Sequence, residues 1–274
     1  MLKIAVVGDV GIDYYENLDL QKPGGIAFNF AYNLTQCGIK KVALVSVLGS
    51  DENSDELLKL IEHINIDSTH IQKFAGSPPK QNISLKNGER KFTGYSPGVL
   101  KKWKLRKEDL EFIKKYDAVF IPLSDGMENI FNAIKTVKGP IKTVDFSQDY
   151  EYADFEKEDN LITKNVKHFD LIFVGGEKRH RKMVQSLANK YPEKVFILTL
   201  GKNGSLAFHE GKKSFQPALK IKKFVDTTGC GDAFQAGFLV SWLEKKNIEL
   251  ALFKGTERAL SVLRHIGSTE LTLK

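Results

Sequence analysis

The chain reads as an α/β protein in which a mainly parallel sheet is covered by helices on both faces. Short apolar runs ending in Gly, Ser or Asp recur along it: KIAVVGD (3–9), KVALVSVLG (41–49), DAVFIPL (117–123), IKTVDFS (141–147), DLIFVGG (170–176) and VFILTLG (195–201). Between them lie helical patterns such as SDELLKLIEHI (54–64), apolar at Leu57, Leu58, Ile61 and Ile64. Such alternation builds parallel strands joined by covering helices. At 274 residues the chain exceeds the usual single-domain size but suits one α/β sheet, so we expect a single domain over 1–274 with a small appendage.

In chain order, the first strand ends at Gly8-Asp9. Residues 68–98 later break the rhythm. HIQKFAG, KQNISLK and ERKFTGY look like short strands, and Asn87-Gly88 is a two-residue turn suited to a tight hairpin. This antiparallel excursion is either a lid over a site or a plain surface hairpin. The regular alternation then resumes from 117.

Composition excludes several classes. A hydrophobic content of 42% with 18 Phe can bury a sizeable core, which disordered chains cannot. No apolar stretch approaches the ~20 residues of a bilayer-spanning helix, and MLKIAVVGDV reads as a strand rather than a signal peptide, so a cytoplasmic protein without a membrane partner is expected. Cys37 and Cys230 lie too far apart to indicate a disulfide framework or zinc site. The net charge of +7 favours anionic ligands. The basic runs KKWKLRK (101–107) and EKRHRK (177–182) read as solvated faces, because no nucleic-acid-binding motif accompanies them.

The stretch VDTTGCGDAFQAGF (225–238) carries the chemistry. Gly229 and Gly231 flank Cys230 directly before a helical run, so backbone N–H groups can converge at the helix's positive end on an anion such as phosphate. Asp232 in the first turn is either a helix cap or a proton acceptor beside that phosphate, and the electrostatic cost of its position favours the second. The motif is neither a Walker A loop nor a dinucleotide fingerprint. Gly24-Gly25 alone is a turn, and Asn29 alone a helix cap.

DTTGCGDAFQAGF closely resembles the C-terminal signature of the ribokinase-like (PfkB) carbohydrate kinases, and PGGIAFNFAYNLTQCG (23–38) resembles their N-terminal Gly-Gly signature. GDVGID (8–13) and TLGKNGS (199–205) also resemble family elements, in the family's order. The resemblance implies a three-layer α/β/α fold with a small β lid, formed here by roughly 12–23 and 68–98. It implies that Asp232 is the catalytic base, that Gly229, Cys230 and Gly231 form the anion hole, and that Asp9, Asp13, Gly24, Gly25 and Asn29 hold the sugar. Thr199, Gly201, Gly204, Val225 and Thr228 would bind the nucleotide, with adenine near 220–225 and 255–259. ATP and Mg²⁺ are the implied cosubstrate and cofactor; the resemblance also allows a monovalent cation and a homodimer through the lid.

The chain departs from the family where many members carry Asn-x-x-Glu for water and Mg²⁺: Val174 takes the Asn place and only Glu177 remains, as an indirect metal residue. Ser147 stands where many sugar kinases have Asn, and the short stretch between Asp13 and Gly24 implies that half of the lid is reduced. DFSQDY (145–150), FTGYSPGV (92–99) and GIDYYENL (11–18) are more similar to the family's fructoselysine-phosphorylating branch than to ribokinase or fructokinase. Tyr14, Phe92 and Tyr95 would then face the aminoacyl tail. Fructose, ribose or nucleoside kinases of the same fold, and a non-catalytic sugar or nucleotide sensor, remain alternatives.

Overall fold

The structure, a computed structural model, describes residues 1–124, 126–146 and 160–273. In β1 (Lys3–Val7), Ala5 and Val7 join one apolar cluster and Ile4 and Val6 another, all fully buried. A strand buried on both faces belongs inside a sheet covered on both sides. There follow β2 (Gly11–Tyr15), β3 (Leu20–Gly24), α1 (Ile26–Gln36), β4 (Lys41–Leu48), α2 (Glu52–His63), β5 (Ile71–Lys73), β6 (Lys80–Lys86) and β7 (Glu89–Ser96). The chain continues through α3 (Lys107–Ile113), β8 (Ala118–Pro122), α4 (Glu128–Lys135), β9 (Ile141–Asp145), α5 (Leu161–Asn165), β10 (Leu171–Gly175) and α6 (Arg181–Lys190). It closes with β11 (Val195–Thr199), β12 (Ser205–His209), β13 (Lys212–Gln216), α7 (Cys230–Lys245) and α8 (Ile248–Val262).

Among the described residues, the large sheet runs β13-β12-β11-β10-β9-β8-β1-β4-β5. It is parallel except for β12 and β13 at one edge. Side chains of α1, α2, α7 and α8 pack on one face and those of α3 to α6 on the other. This is the three-layer α/β/α arrangement, and the six apolar runs of the sequence are β1, β4, β8, β9, β10 and β11. Helix α7 is buried continuously from Asp232 to Trp242, so its apolar residues encircle it rather than forming a stripe. That burial fixes the helix whose first turn carries the glycine-rich motif.

The second sheet has the order β3-β2-β6-β7, with β2 antiparallel to β3 and parallel to β6. Asn87 (φ 52°) and Gly88 (φ 80°) turn β6 into antiparallel β7, the two positive φ values that a tight hairpin requires. One boundary expectation needs correction. Ile71–Lys73 is not antiparallel lid: β5 pairs parallel with β4, Ser46 opposite Ile71, because the chain leaving α2 returns along the large sheet's edge. In the 12–23 half, β2 and β3 form a hairpin of two five-residue strands. Asp19 (φ 47°) reverses the chain quickly, and the Asn17 amide bonds both the carbonyl and the N–H of Leu85 in β6. Ser147 and the three residues after it in DFSQDY lie outside the described residues.

Candidate active site

A cleft of about 460 Å³ opens between the two sheets, a volume suited to a small ligand. The large sheet contributes the turn after β1 with Asp9, and the start of α7 contributes Gly229 and Asp232; the small sheet contributes Asp13, Gln81, Arg90, Phe92 and Tyr95. The cleft therefore lies at the carboxyl ends of parallel strands, the usual ligand crevice of an open α/β sheet.

Asp232 is 5% exposed. Its Oδ2 accepts a hydrogen bond of 2.9 Å from Asn29 Nδ2. Among the described residues no hydrogen bond reaches its Oδ1. Burial pushes its carboxyl well above the ordinary value, against the opposing pull of the Asn29 bond; Asp145 and Asp9 add to the rise and Arg90 resists it. A carboxylate with raised basicity and a free oxygen facing a cleft can take a proton. Asn29 is not a cap: it sits inside α1 and joins that helix to Asp232.

Asp13, on β2, faces the same cleft, and burial raises its carboxyl to about 8, with Asp9 raising it and Arg90 lowering it. Asp9 has a different local task. Its two oxygens accept from the N–H groups of Ile26 (3.1 Å) and Ala27 (3.3 Å), closing the first turn of α1. The Gly-Gly pair is required by these acids. A Cβ on Gly24 would lie 2.4 Å from the Asp13 carboxyl, and one on Gly25 (φ 100°) would lie 2.7 Å from the Asp9 carbonyl. Gly25 lines the cleft and Gly24 does not.

Asp13 gives a pH prediction. Its folded value of about 8 exceeds the unfolded one of 3.8, so between them the folded state holds the extra proton. Stability from this group is therefore lost as pH rises through that window. The unliganded protein's Tm should fall between pH 5 and 8, and Asp13→Asn should flatten the fall. An equal slope in thermal melts of both proteins would overturn this.

At the start of α7, Gly229 adopts φ 78° and the first turn presents N–H groups that have no i−4 carbonyl. A Cβ on Gly231 would meet nothing within 4 Å, so open space lies over that end. The Cys230 thiol, pushed up to about 12 chiefly by burial, stays protonated at neutral pH; the Cys230 N–H bonds Thr227 O at 3.4 Å, and neither Cys230 nor Gly231 lines the cleft. The cleft beside this end of α7 collects the buried acids Asp9, Asp13 and Asp232. The chain's net positive charge does not describe its cleft.

The small sheet is fastened to the loop before α7. Thr227 N–H donates to Gly88 O (3.1 Å), and Arg90 Nη1 donates to Thr227 O (2.6 Å). Tyr15, on β2, donates its hydroxyl to Asp226, which also accepts from Thr228 N and Oγ1 and from Gly267 N.

Comparison with known proteins fits this geometry: the model of the pfkB family carbohydrate kinases matches residues 1–137 and 158–273. The chain belongs to the pfkB family of carbohydrate kinases. This ATP-dependent sugar kinase is 27% identical over 272 residues to the fructoselysine 6-kinase of Escherichia coli (strain K12), covering 98% of this chain and 100% of that one. It is 26% identical over 295 residues to the cytidine kinase of Thermococcus kodakarensis, covering all of both chains. Its fold matches a probable sugar kinase from Rhizobium etli with a TM-score of 0.83 at 17% identity, covering 99% of this chain and 96% of that one. ATP, generally with Mg²⁺, is the phosphoryl donor of the family.

In the kinase, Thr228 lines the cleft, whereas Thr199, Gly201, Gly204 and Val225 do not. Thr199 ends β11, and Gly201 opens the turn to β12 with nothing within 4 Å of its would-be Cβ. Gly204 does not leave room for a ligand: its Cβ would lie 2.3 Å from the Gln216 carbonyl, so the glycine serves the packing of β12 on β13. Val225 is 42% exposed and its N–H bonds Leu263 O. Glu177 is ion-paired with Arg179 Nε at 3.2 Å on the surface and does not line the cleft, and Val174 is buried in β10. Among the described residues, no cluster of three or more His, Cys, Asp or Glu is arranged to hold a metal. The open end of α7 fits the phosphates of ATP, and a Mg²⁺ held through phosphates and water needs only one or two carboxylates.

Tyr95 and Phe92 line the cleft, with Arg90 stacked over the Phe92 ring at 5.2 Å. Tyr14 does not line it: its hydroxyl bonds Asp19 and Lys80 covers its ring. Sequence reasoning missed Arg90 and Gln81, which line the cleft. For Arg90 the signal was its period-2 relation to Phe92 after the Asn-Gly turn, which puts both on one face.

Proposed function

We propose that this kinase transfers the γ-phosphoryl group of ATP to the 6-hydroxyl of fructoselysine or a closely related ketose derivative. The observation carrying the chemistry is Asp232: a buried carboxylate with one oxygen held by Asn29 and the other free, in the first turn at the open end of α7. Asp13, across the cleft, would accept sugar hydroxyls and orient the ring. Asp232 Oδ1 takes the proton of the attacking hydroxyl as the new O–P bond forms and the bond to the β-phosphate oxygen breaks, releasing ADP. The N–H groups of Gly229, Cys230 and Gly231 stabilise the charge on the transferred group. Mg²⁺, when bound, neutralises charge on the β- and γ-oxygens. The small sheet acts as the lid, with Gln81 and Tyr95 at the side that would meet the lysyl substituent. Similarity to the fructoselysine 6-kinase supports that substrate, and similarity to the cytidine kinase makes nucleosides the comparison.

A coupled assay of ADP release across fructoselysine, fructose, ribose and cytidine tests the reading. Fructoselysine should give the highest kcat/KM, and EDTA should abolish release. A higher value with cytidine would reassign the kinase to nucleosides, and release from none of them would overturn the proposal.

A further inference from the structure

We propose that Ser268 is a positioning residue for Asp232 that acts through the side-chain amide of Asn29; the role rests on Asp232 being the proton acceptor. Ser268 is fully buried in the segment after α8, 239 residues from Asn29 in the chain. Its hydroxyl donates to Asn29 Oδ1, and Asn29 Nδ2 donates to Asp232 Oδ2 at 2.9 Å. An amide has one accepting and one donating end, while an ionised carboxylate only accepts. Productive contact therefore requires the NH₂ end of Asn29 to face Asp232. A flipped amide would set oxygen against oxygen. The ionised Asp232 carboxylate, which only accepts, sets that orientation; the Ser268 hydroxyl, donating to Oδ1 of Asn29, holds the amide in place and leaves Asp232 Oδ1 for the substrate's proton.

The support extends beyond this line. Asn33 Nδ2 holds the Asn29 backbone carbonyl at 2.8 Å, and Arg258 Nε of α8 holds Asn33 Oδ1 at 2.6 Å. A Cβ on Gly229 would lie 2.3 Å from Ser268 Cβ, so the serine also abuts the first residue of the anion-facing turn. One side chain thus borders both halves of the reaction centre.

The groups that set the titration of Asp232 are Asn29 from α1, Asp145 from the end of β9, Asp9 from the turn after β1 and Arg90 from β7. Of these, Asn29 supplies the hydrogen bond that favours the ionised form. Loosening Asn29 should therefore move the titration upward. In protein carrying ¹³C at aspartate carboxyls, the Asp232 resonance is identified by its loss in Asp232→Asn. Its midpoint should rise by about half to one pH unit in Ser268→Ala. The acidic limb of the kcat profile with fructoselysine should rise equally. In an Asn29→Ala background, Ser268→Ala should add no further shift. An unmoved midpoint in folded Ser268→Ala, or the same shift without Asn29, overturns the positioning role. Failure of the base assignment is separate: Asp232→Asn would then retain turnover, an outcome the carboxyl titration does not depend on.

Discussion

Asp232→Asn is expected to lower kcat by about 10²- to 10⁴-fold, the range for losing a positioned general base. ATP affinity measured by calorimetry should stay within a few-fold. The amide keeps the shape of the carboxylate but cannot take the hydroxyl's proton. It also replaces a buried ionisable group with a neutral one, so folding should not suffer: burial already disfavours the ionised form of Asp232. Loss of activity with unchanged or raised Tm is therefore the signature. Unchanged kcat would remove Asp232 from the chemistry, whereas loss of both fold and ATP binding would make it a structural residue.

The second large effect separates two glycines that one motif presents as equivalent. Gly229 sits at φ 78°, and its would-be Cβ lies 2.3 Å from Ser268 Cβ. Alanine there meets left-handed strain of roughly 1–2 kcal/mol as well as a buried neighbour without space. A fall in Tm of roughly 5–10 °C should result. The accompanying displacement at the start of α7 should reduce kcat by about 10²-fold, as misplacement near 1 Å can. Gly231 lies within the helix with nothing within 4 Å of its would-be Cβ. Alanine there should keep or slightly raise Tm, since it favours helix by about 1 kcal/mol over glycine. It should still impair turnover by placing a methyl group over the anion-binding end. Equal losses of Tm in both variants would contradict this division.

What the sequence made legible was local. The strands of the large sheet are apolar runs bounded by turn residues, and the glycine-rich start of α7 declares itself through spacing. What depended on distant neighbours was not legible. A three-residue strand at Ile71–Lys73 does not state which sheet it joins; that is decided by β4, laid down before α2. The cross-link from Asn17 to Leu85, which ties the β2–β3 turn to β6, is invisible from either segment alone. Gly24 and Gly25, expected at the sugar, and Gly204, expected at the nucleotide, each lie where a Cβ would meet an atom of the chain itself. Asn29 was placed at the site by its motif, but its partners Asp232 and Ser268 lie more than 200 residues away.

The peptide of Thr227 is held at both ends by the small sheet, its N–H by Gly88 and its carbonyl by Arg90, immediately before the turn that opens α7. The two ends of the cleft therefore share a single mechanical element. An occupant that keeps the small sheet seated also favours one arrangement of the turn where phosphate would lie. By thermodynamic reciprocity, the factor by which a sugar tightens the hold on nucleotide must equal the factor by which nucleotide tightens the hold on sugar. This fastening thus offers a route to substrate synergism in the ternary complex.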